Sequence, residues 1–86
     1  MSYTIVISKS VQKQIDNLPS DIQKRIIAKI QTLTDDPRSD GVVKLKGFDR
    51  EYRVRVGDYR VRYEVDDGNR IIQVLQCKHR KDIYRQ

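Results

Sequence analysis

The sequence predicts an α+β fold: an N-terminal strand and a helical hairpin packed on one face of an antiparallel sheet of about four to five strands. Two observations predict it. Apolar residues recur with the 3.6-residue period of helices up to about residue 35, and with the two-residue period of strands from about residue 42 onward. Since the 86 residues contain no linker or internal repeat, we expect residues 1–86 to form one domain.

The first 35 residues predict one strand and two helices. The β-branched segment 3–7 is a short strand, and Ser8 is a suitable N-cap for a helix over 8–18. Pro19 ends that helix, and a second is predicted over 20–35, where Ser20 and Gln23 have the spacing of a capping box. The apolar positions of the two helices are Val11, Ile15 and Leu18, then Ile22, Ile26, Ile30 and Leu33.

The second half of the chain predicts strands. Segment 42–46 is a strand that ends at a glycine, and segment 70–76 is a last strand after an Asp-Gly turn. Between them, Gly57-Asp58 has glycine where a type II′ turn needs it. We expect a core that contains Tyr52, Val54, Val61, Tyr63, Ile72 and Val74 with Ile15, Ile22, Ile26 and Ile30.

A two-residue turn at Gly57-Asp58 also predicts the strand register. It pairs Val56 with Tyr59, and hence Arg55 with Arg60 and Arg53 with Arg62. The apolar residues of both strands then face the helices, and four guanidinium groups share the opposite face. Facing like charges destabilise a sheet by about 0.2–1 kcal/mol per pair, so this arrangement indicates an anion to be bound. The alternative is a solvated face that serves solubility, although arginine in all four positions favours phosphate.

The net charge is +6, and it is uneven: residues 1–43 carry +1 and residues 44–86 carry +5. The second half should therefore build a surface for an anionic partner such as nucleic acid, a membrane surface or an acidic protein. The helical cations Lys9, Lys13, Lys24, Arg25 and Lys29 are most simply a solvated face, with contact to ribosomal RNA left open.

Other residue types exclude several kinds of site. The single cysteine, Cys77, excludes an internal disulfide and is interpreted as a small core residue. The single histidine and the scattered carboxylates predict neither a metal site nor a cofactor. The apolar run near the N-terminus is too short for a signal peptide or a membrane span, so we expect a cytoplasmic protein without membrane contact.

The order of these segments resembles the RelE/ParE toxin superfamily. A strand and a helical hairpin precede K-L-K-G, Y-R-V-R-V-G-D-Y-R-V-R-Y and H-R-K-D-I-Y, and the likeness spans the whole chain. The resemblance implies a microbial-RNase-like sheet with an RNA-binding concave face. It also implies a toxin of a type II toxin–antitoxin system that cleaves mRNA in the ribosomal A site and inhibits translation.

The RelE branch implies a catalytic set in this chain: Arg53, Arg55, Arg60, Arg80 and Tyr84. Two features depart from the branch: arginines replace the familiar lysines at the first two positions, and Tyr84 follows Arg80 closely. We assign the phosphate clamp to the first three arginines. Arg80 is the candidate acid or leaving-group stabiliser. Tyr84 is the candidate base, because guanidinium groups make a tyrosine lose its proton more readily. RNA contacts are predicted for Lys44, Lys46, Arg62, Lys78 and His79.

The resemblance also implies binding partners, and two alternative functions remain open. The expected partners are an antitoxin with an acidic amphipathic segment, the ribosome and its mRNA, with operator DNA contacted only through the antitoxin. One rival function belongs to the ParE branch, a non-enzymatic poison of DNA gyrase with the same fold. The other is a plain RNA-binding module that uses the arginines for backbone contact.

Overall fold

The computed structural model describes residues 2–38, 41–45 and 50–83. Two helices pack on one face of a five-stranded sheet, and a short third helix follows the last strand. In chain order the elements are β1 (Thr4–Ile7), α1 (Lys9–Asp16), α2 (Ser20–Leu33), β2 (Val42–Lys44), β3 (Glu51–Val56), β4 (Tyr59–Asp66), β5 (Ile71–His79) and α3 (Arg80–Ile83). The predicted α+β class is confirmed.

The helical hairpin forms as predicted, with one correction at its turn. Ser8 caps α1, since its Oγ accepts a hydrogen bond from the N–H of Val11 at 3.3 Å. The predicted capping box at the start of α2 is wrong, because Pro19 occupies the N-cap position and makes no side-chain cap. The Gln23 amide instead donates to the carbonyls of Asp16 and Leu18, at 3.0 and 2.7 Å, and so closes the turn between the helices.

The strand order is β1-β5-β4-β3-β2, and one pair differs from the prediction. β1 lies parallel to β5, whereas all other neighbours are antiparallel, so the sheet is mixed. The helical hairpin carries the chain from one edge of the sheet to the other, and three antiparallel steps bring it back beside β1. A period-two pattern contains no information on the direction of a strand that pairs across such a long crossover.

β5 is longer than predicted and contains an irregularity. It pairs with β4 as far as Tyr59 opposite His79, and the register shifts by one residue between Arg62 and Tyr63. Arg70, predicted as its first residue, lies in the preceding turn with a φ of +57°. One extra residue in β5 forms a β-bulge at this point. After the bulge, the side chains that face the helices are shifted by one position along the strand.

The core lies between the helices and the sheet, where α1 packs on β5 and α2 packs on β3. All predicted core residues except Ile22 are buried, and Ile22 is partly buried against them. The fully buried side chains include Ile15, Ile26 and Leu33 from the helices and Val61, Tyr63 and Ile72 from the sheet. Burial at roughly 1.5–3 kcal/mol per large apolar side chain is the main force that holds this small domain together.

A polar network closes the sheet end remote from the β3–β4 turn. The guanidinium of Arg38 donates to both carboxylate oxygens of Asp67, at 3.2 and 2.7 Å, and its Nε donates to the hydroxyl of Tyr52 at 2.9 Å. The hydroxyl of Tyr3 also donates to Asp67, at 2.6 Å. The buried hydroxyl of Tyr63 donates to the carbonyl of Pro37 at 2.6 Å. These contacts attach the segment after α2 to the sheet.

Candidate nucleic-acid interface

The β3–β4 hairpin has the register that the sequence predicts. Gly57 has a φ of +58°, and Asp58 is not among the residues with positive φ, as a type II′ turn requires. Val56 therefore pairs with Tyr59, and the four arginines meet in two directly facing pairs, Arg55 with Arg60 and Arg53 with Arg62.

The alternation of buried residues places these arginines on the sheet face away from the helices. Tyr52, Val54, Val56, Val61, Tyr63 and Val65 are buried on the helix side. The arginines between them are exposed at Arg55 and half-buried at Arg53, Arg60 and Arg62. Lys78 of β5 lies directly opposite Arg60 and joins them. We call Arg53, Arg55, Arg60, Arg62 and Lys78 the basic face.

The basic face has few internal partners for its charge. Among the described residues, its only ion pair joins Arg62 Nε to Glu51 Oε1 at 3.3 Å. That N–H is not aligned with the carboxylate, and Nε is a buried nitrogen without a hydrogen-bond partner in this part of the chain. Arg55 and Arg60 donate only to backbone carbonyls, those of Gly57 and Tyr59 at 2.8 and 3.3 Å. The guanidinium groups are thus available to an external anion.

The charge on this sheet face changes along the strands. The cations of the basic face lie toward the β3–β4 turn. Glu51 and Glu64 face each other toward the other end of the hairpin, and Asp66 follows on the same side of β4. Arg50 lies 3.1 Å from Asp66 and neutralises part of that acidic end. An anion would therefore bind at the turn end of the sheet.

Arg80 lies at the same turn end. Its backbone N–H donates to the carbonyl of Asp58 at 2.8 Å, which fixes the first residue of α3 against the β3–β4 turn. The Arg80 residue is exposed and comes two positions after Lys78. The backbone of Arg80 thus lies beside the β3–β4 turn, at the border of the basic face.

Two predicted RNA contacts lie elsewhere. Lys44 pairs with Tyr52, which places it on the helix side of the edge strand β2 rather than with the arginines. His79 pairs with Tyr59 on the helix side, and the two rings meet edge to face at 5.1 Å. Lys46 and Tyr84, the remaining predicted site residues, lie outside the described residues.

Cys77 occupies the core, as its interpretation from sequence predicts. Its side chain is buried, and its backbone N–H donates to the amide oxygen of Gln14 on α1 at 3.1 Å. Burial raises the pKa of the thiol to about 11. A buried thiol that keeps its proton at neutral pH is a poor nucleophile, which fits the interpretation of Cys77 as a core residue.

Helix α2 also contributes to the charged surface, where the sequence favoured a solvated face and left contact with ribosomal RNA open without distinguishing Arg25 and Lys29. A groove of about 450 Å³ lies between α2 and the β3–β4 hairpin, and Arg25, Lys29 and Arg55 line it. No sequence signal separates Arg25 and Lys29 from the other helical cations. Only the tertiary position of α2 beside the hairpin distinguishes them. Among the described residues, no helix has both the length and the apolar character needed to cross a membrane.

Comparison with known proteins identifies relatives over nearly the whole chain. A family model described as the ParE toxin of the type II toxin–antitoxin system parDE matches residues 5–84. Toxin RelE3 of Methanocaldococcus jannaschii is 35% identical over 85 residues, which cover 93% of each chain. Toxin RelG of Mycobacterium tuberculosis is 27% identical over 86 residues and 99% of each chain.

Solved structures have the same architecture. The archaeal RelE–RelB complex of Pyrococcus horikoshii superposes with a TM-score of 0.82 at 35% identity, covering 93% of this chain and 97% of that chain. The RelB–RelE antitoxin–toxin complex of Methanococcus jannaschii gives a TM-score of 0.74 at 31% identity, over 93% of this chain and 95% of that chain.

Proposed function

Because the chain belongs to the RelE/ParE superfamily of type II toxin–antitoxin toxins, we propose that it is an endoribonuclease that cleaves mRNA in the ribosomal A site. The observation that carries the proposal is the basic face, where four arginines meet in two facing pairs and, among the described residues, only Arg62 forms an ion pair, with Glu51. Such a surface has an electrostatic cost of about 0.2–1 kcal/mol per facing pair, which a bound phosphate removes.

The chemistry that fits these residues is attack by the RNA's own 2′-hydroxyl. The 2′-oxygen forms a bond to the adjacent phosphorus and the bond from phosphorus to the 5′-oxygen breaks, which leaves a 2′,3′-cyclic phosphate and a 5′-hydroxyl. Two negative charges develop on the phosphorane between these events. The guanidinium groups of Arg53, Arg55 and Arg60 can stabilise that charge through hydrogen bonds to the phosphorane oxygens.

The two proton transfers fall to residues near the C-terminus. Tyr84 is the candidate base that takes the proton of the 2′-hydroxyl. Arg80 is the candidate that stabilises or protonates the leaving 5′-oxygen, and its attachment to Asp58 at the β3–β4 turn supports that role. The reaction as proposed uses protein groups alone, with no cofactor and no metal.

The proposed enzyme depends on the ribosome for orientation. It has no pair of histidines to act as base and acid, and the basic face is an open surface rather than a cleft. Positioning of the mRNA in the A site supplies the alignment that the free protein lacks, and such alignment can contribute many orders of magnitude to a rate. Free RNA should therefore be a poor substrate.

The proposal includes an antitoxin as partner. The relatives from Pyrococcus horikoshii and Methanococcus jannaschii were solved as complexes of RelE with RelB. An antitoxin segment that is acidic and amphipathic would complement the basic face by charge. By covering the arginines it would prevent RNA from binding, so one contact would both inhibit the toxin and stabilise its fold.

The second candidate function is poisoning of DNA gyrase, which the ParE description of the matching family model favours. Two assays with purified protein separate the candidates. An endoribonuclease cleaves mRNA on programmed ribosomes and leaves gyrase active in a supercoiling assay, whereas a gyrase poison has the opposite effects. A protein that binds RNA but does neither would be the plain binding module.

A further inference from the structure

The groove between α2 and the β3–β4 hairpin is a second concentration of positive charge. Arg25 and Lys29 reach it from the helix and Arg55 from the strand. The other lining residues are Ala28, Thr32, Val56 and Gly57. None of these four has a charged side chain, so every charged residue that lines the groove is a cation.

The groove exists because β2 is short. Its first residue, Val42, pairs with Val54, so in the described pairing Arg55 and Val56 have no strand neighbour on that side. α2 lies beside them instead. A Cβ built on Gly57 would be only 3.3 Å from Nη1 of Arg25, which shows how closely that guanidinium approaches the turn.

The groove cations are not neutralised within the described ranges. The ion pairs there join Arg38 to Asp67, Arg50 to Asp66 and Arg62 to Glu51, and none of them lies at the groove. Asp21 precedes Arg25 by one helical turn, the spacing of a helical ion pair, yet no such pair forms. The exposed Asp58 follows Gly57 and is the other carboxylate close in sequence. The three cations that line the groove are therefore available to bind an anion.

We propose that this groove binds a phosphodiester of RNA, as an extension of the basic face around the β3–β4 turn. Arg55 belongs to both surfaces, so a strand held on the basic face can continue into the groove without a gap in positive charge. The planar guanidinium of Arg25 and the ammonium of Lys29 suit a phosphate approached from two sides. The inference rests on the proposed function, since it extends the same RNA-binding surface. The phosphate belongs either to the mRNA or to ribosomal RNA.

The test compares two double variants with equal loss of charge. Arg25→Ala with Lys29→Ala removes the groove cations, and Lys13→Ala with Lys24→Ala removes two exposed helical cations that do not line it. Affinity is measured against salt for a non-cleavable 2′-O-methyl RNA strand and for ribosomes with an empty A site. The groove variant should bind roughly tenfold more weakly, and the slope of log affinity against log salt should fall by about 1.4 for the free strand. The control should change much less.

The two probes identify the source of the phosphate. A loss with the free strand assigns it to mRNA, and a loss with ribosomes alone assigns it to ribosomal RNA. If the groove variant loses no more affinity than the control with either probe, the proposal is overturned. The affinity of both double variants for the antitoxin is measured in parallel. If only that affinity falls, the groove is a protein-docking site and the proposal is equally overturned. Failure of the endoribonuclease proposal would be recognised separately, by a wild-type protein that does not cleave mRNA on programmed ribosomes.

Discussion

The backbone N–H of Arg80 donates to the carbonyl of Asp58 across 2.8 Å, which joins the start of the last helix to the turn of the central hairpin. Two residues that are 22 positions apart are thereby held at one end of the sheet. The same end contains Arg55 and Arg60, so the predicted phosphate clamp and the predicted leaving-group residue share a border.

Loss of Arg60 or Arg80 should affect catalysis far more than folding. Arg60→Ala or Arg80→Ala should reduce single-turnover cleavage on programmed ribosomes by on the order of 10²–10³, the cost of one preorganised charge donor. Arg62→Ala, one step along the ladder, is the matched comparison and should mainly weaken RNA binding and its salt dependence. Full cleavage by Arg60→Ala would refute the clamp and favour the gyrase poison.

The hydroxyl of Tyr84 can be removed without removing the ring. Tyr84→Phe should reduce the cleavage rate at saturating ribosomes and leave the thermal midpoint unchanged, because only the proposed proton acceptor is lost. EDTA-treated wild-type protein serves as the control for metal and should keep full activity. If Tyr84→Phe cleaves like wild type, Tyr84 packs rather than reacts, and another group is the base.

Gly57 should be the less replaceable glycine of the two hairpin turns. Its φ of +58° suits residues without a Cβ, so Gly57→Ala should cost about 1–2 kcal/mol in the free energy of unfolding. Gly68→Ala is the matched control, since Gly68 has no positive φ and its nearest neighbour to a new Cβ is Asp66 at 3.5 Å. Denaturant titrations of both variants test the difference, and equal losses would argue against the type II′ turn.

The network around Asp67 predicts a dependence of stability on pH. The Arg38 guanidinium and then the Tyr3 hydroxyl, both hydrogen-bonded to Asp67, hold the pKa of that carboxyl below its ordinary value. Because the folded pKa is the lower one, this stabilisation is complete above the ordinary pKa of 3.8 and is lost as the pH falls through the folded value.

Asp67→Asn should therefore lower the thermal midpoint at neutral pH and lessen its fall in acid. Asp21→Asn is the control, because Asp21 is exposed and makes no ion pair among the described residues. Thermal melts from pH 7 to pH 2.5 provide the measurement. An Asp67→Asn curve parallel to that of wild type would show that this carboxyl does not contribute to the acid sensitivity.

Co-expression with the antitoxin should raise soluble yield and restore growth of the host. A partner present at 100 times its dissociation constant adds about 2.7 kcal/mol to the stability of the folded toxin. The toxin expressed alone should arrest growth, and the Arg60→Ala form should arrest it less. A wild-type protein that is harmless alone and binds no neighbouring gene product would contradict the toxin function.

Sequence reasoning worked where local rules determine geometry. A two-residue turn and strict alternation leave one register for β3 and β4, so Arg53 and Arg62 could be paired without coordinates. It failed where distant segments meet. The parallel pairing of β1, the side of the sheet that carries Lys44 and the position of Arg25 beside Gly57 all depend on how the helical hairpin crosses the sheet. The prediction for Gln23 failed in the same way at short range. Its side-chain amide donates to carbonyls of the preceding turn and does not bind the N-cap backbone.

The opposed charges at the two ends of the open sheet face give that face an electric dipole. Arg55, Arg60 and Lys78 form its positive end beside the turn, whereas Glu51 and Glu64 face each other at its negative end. In the field of a polyanion such as the ribosome, a dipole of this kind experiences a torque as well as an attraction. The toxin should therefore approach the polyanion with the β3–β4 turn in front, oriented before any contact forms. Added salt should lower the association rate constant more than it raises the dissociation rate constant.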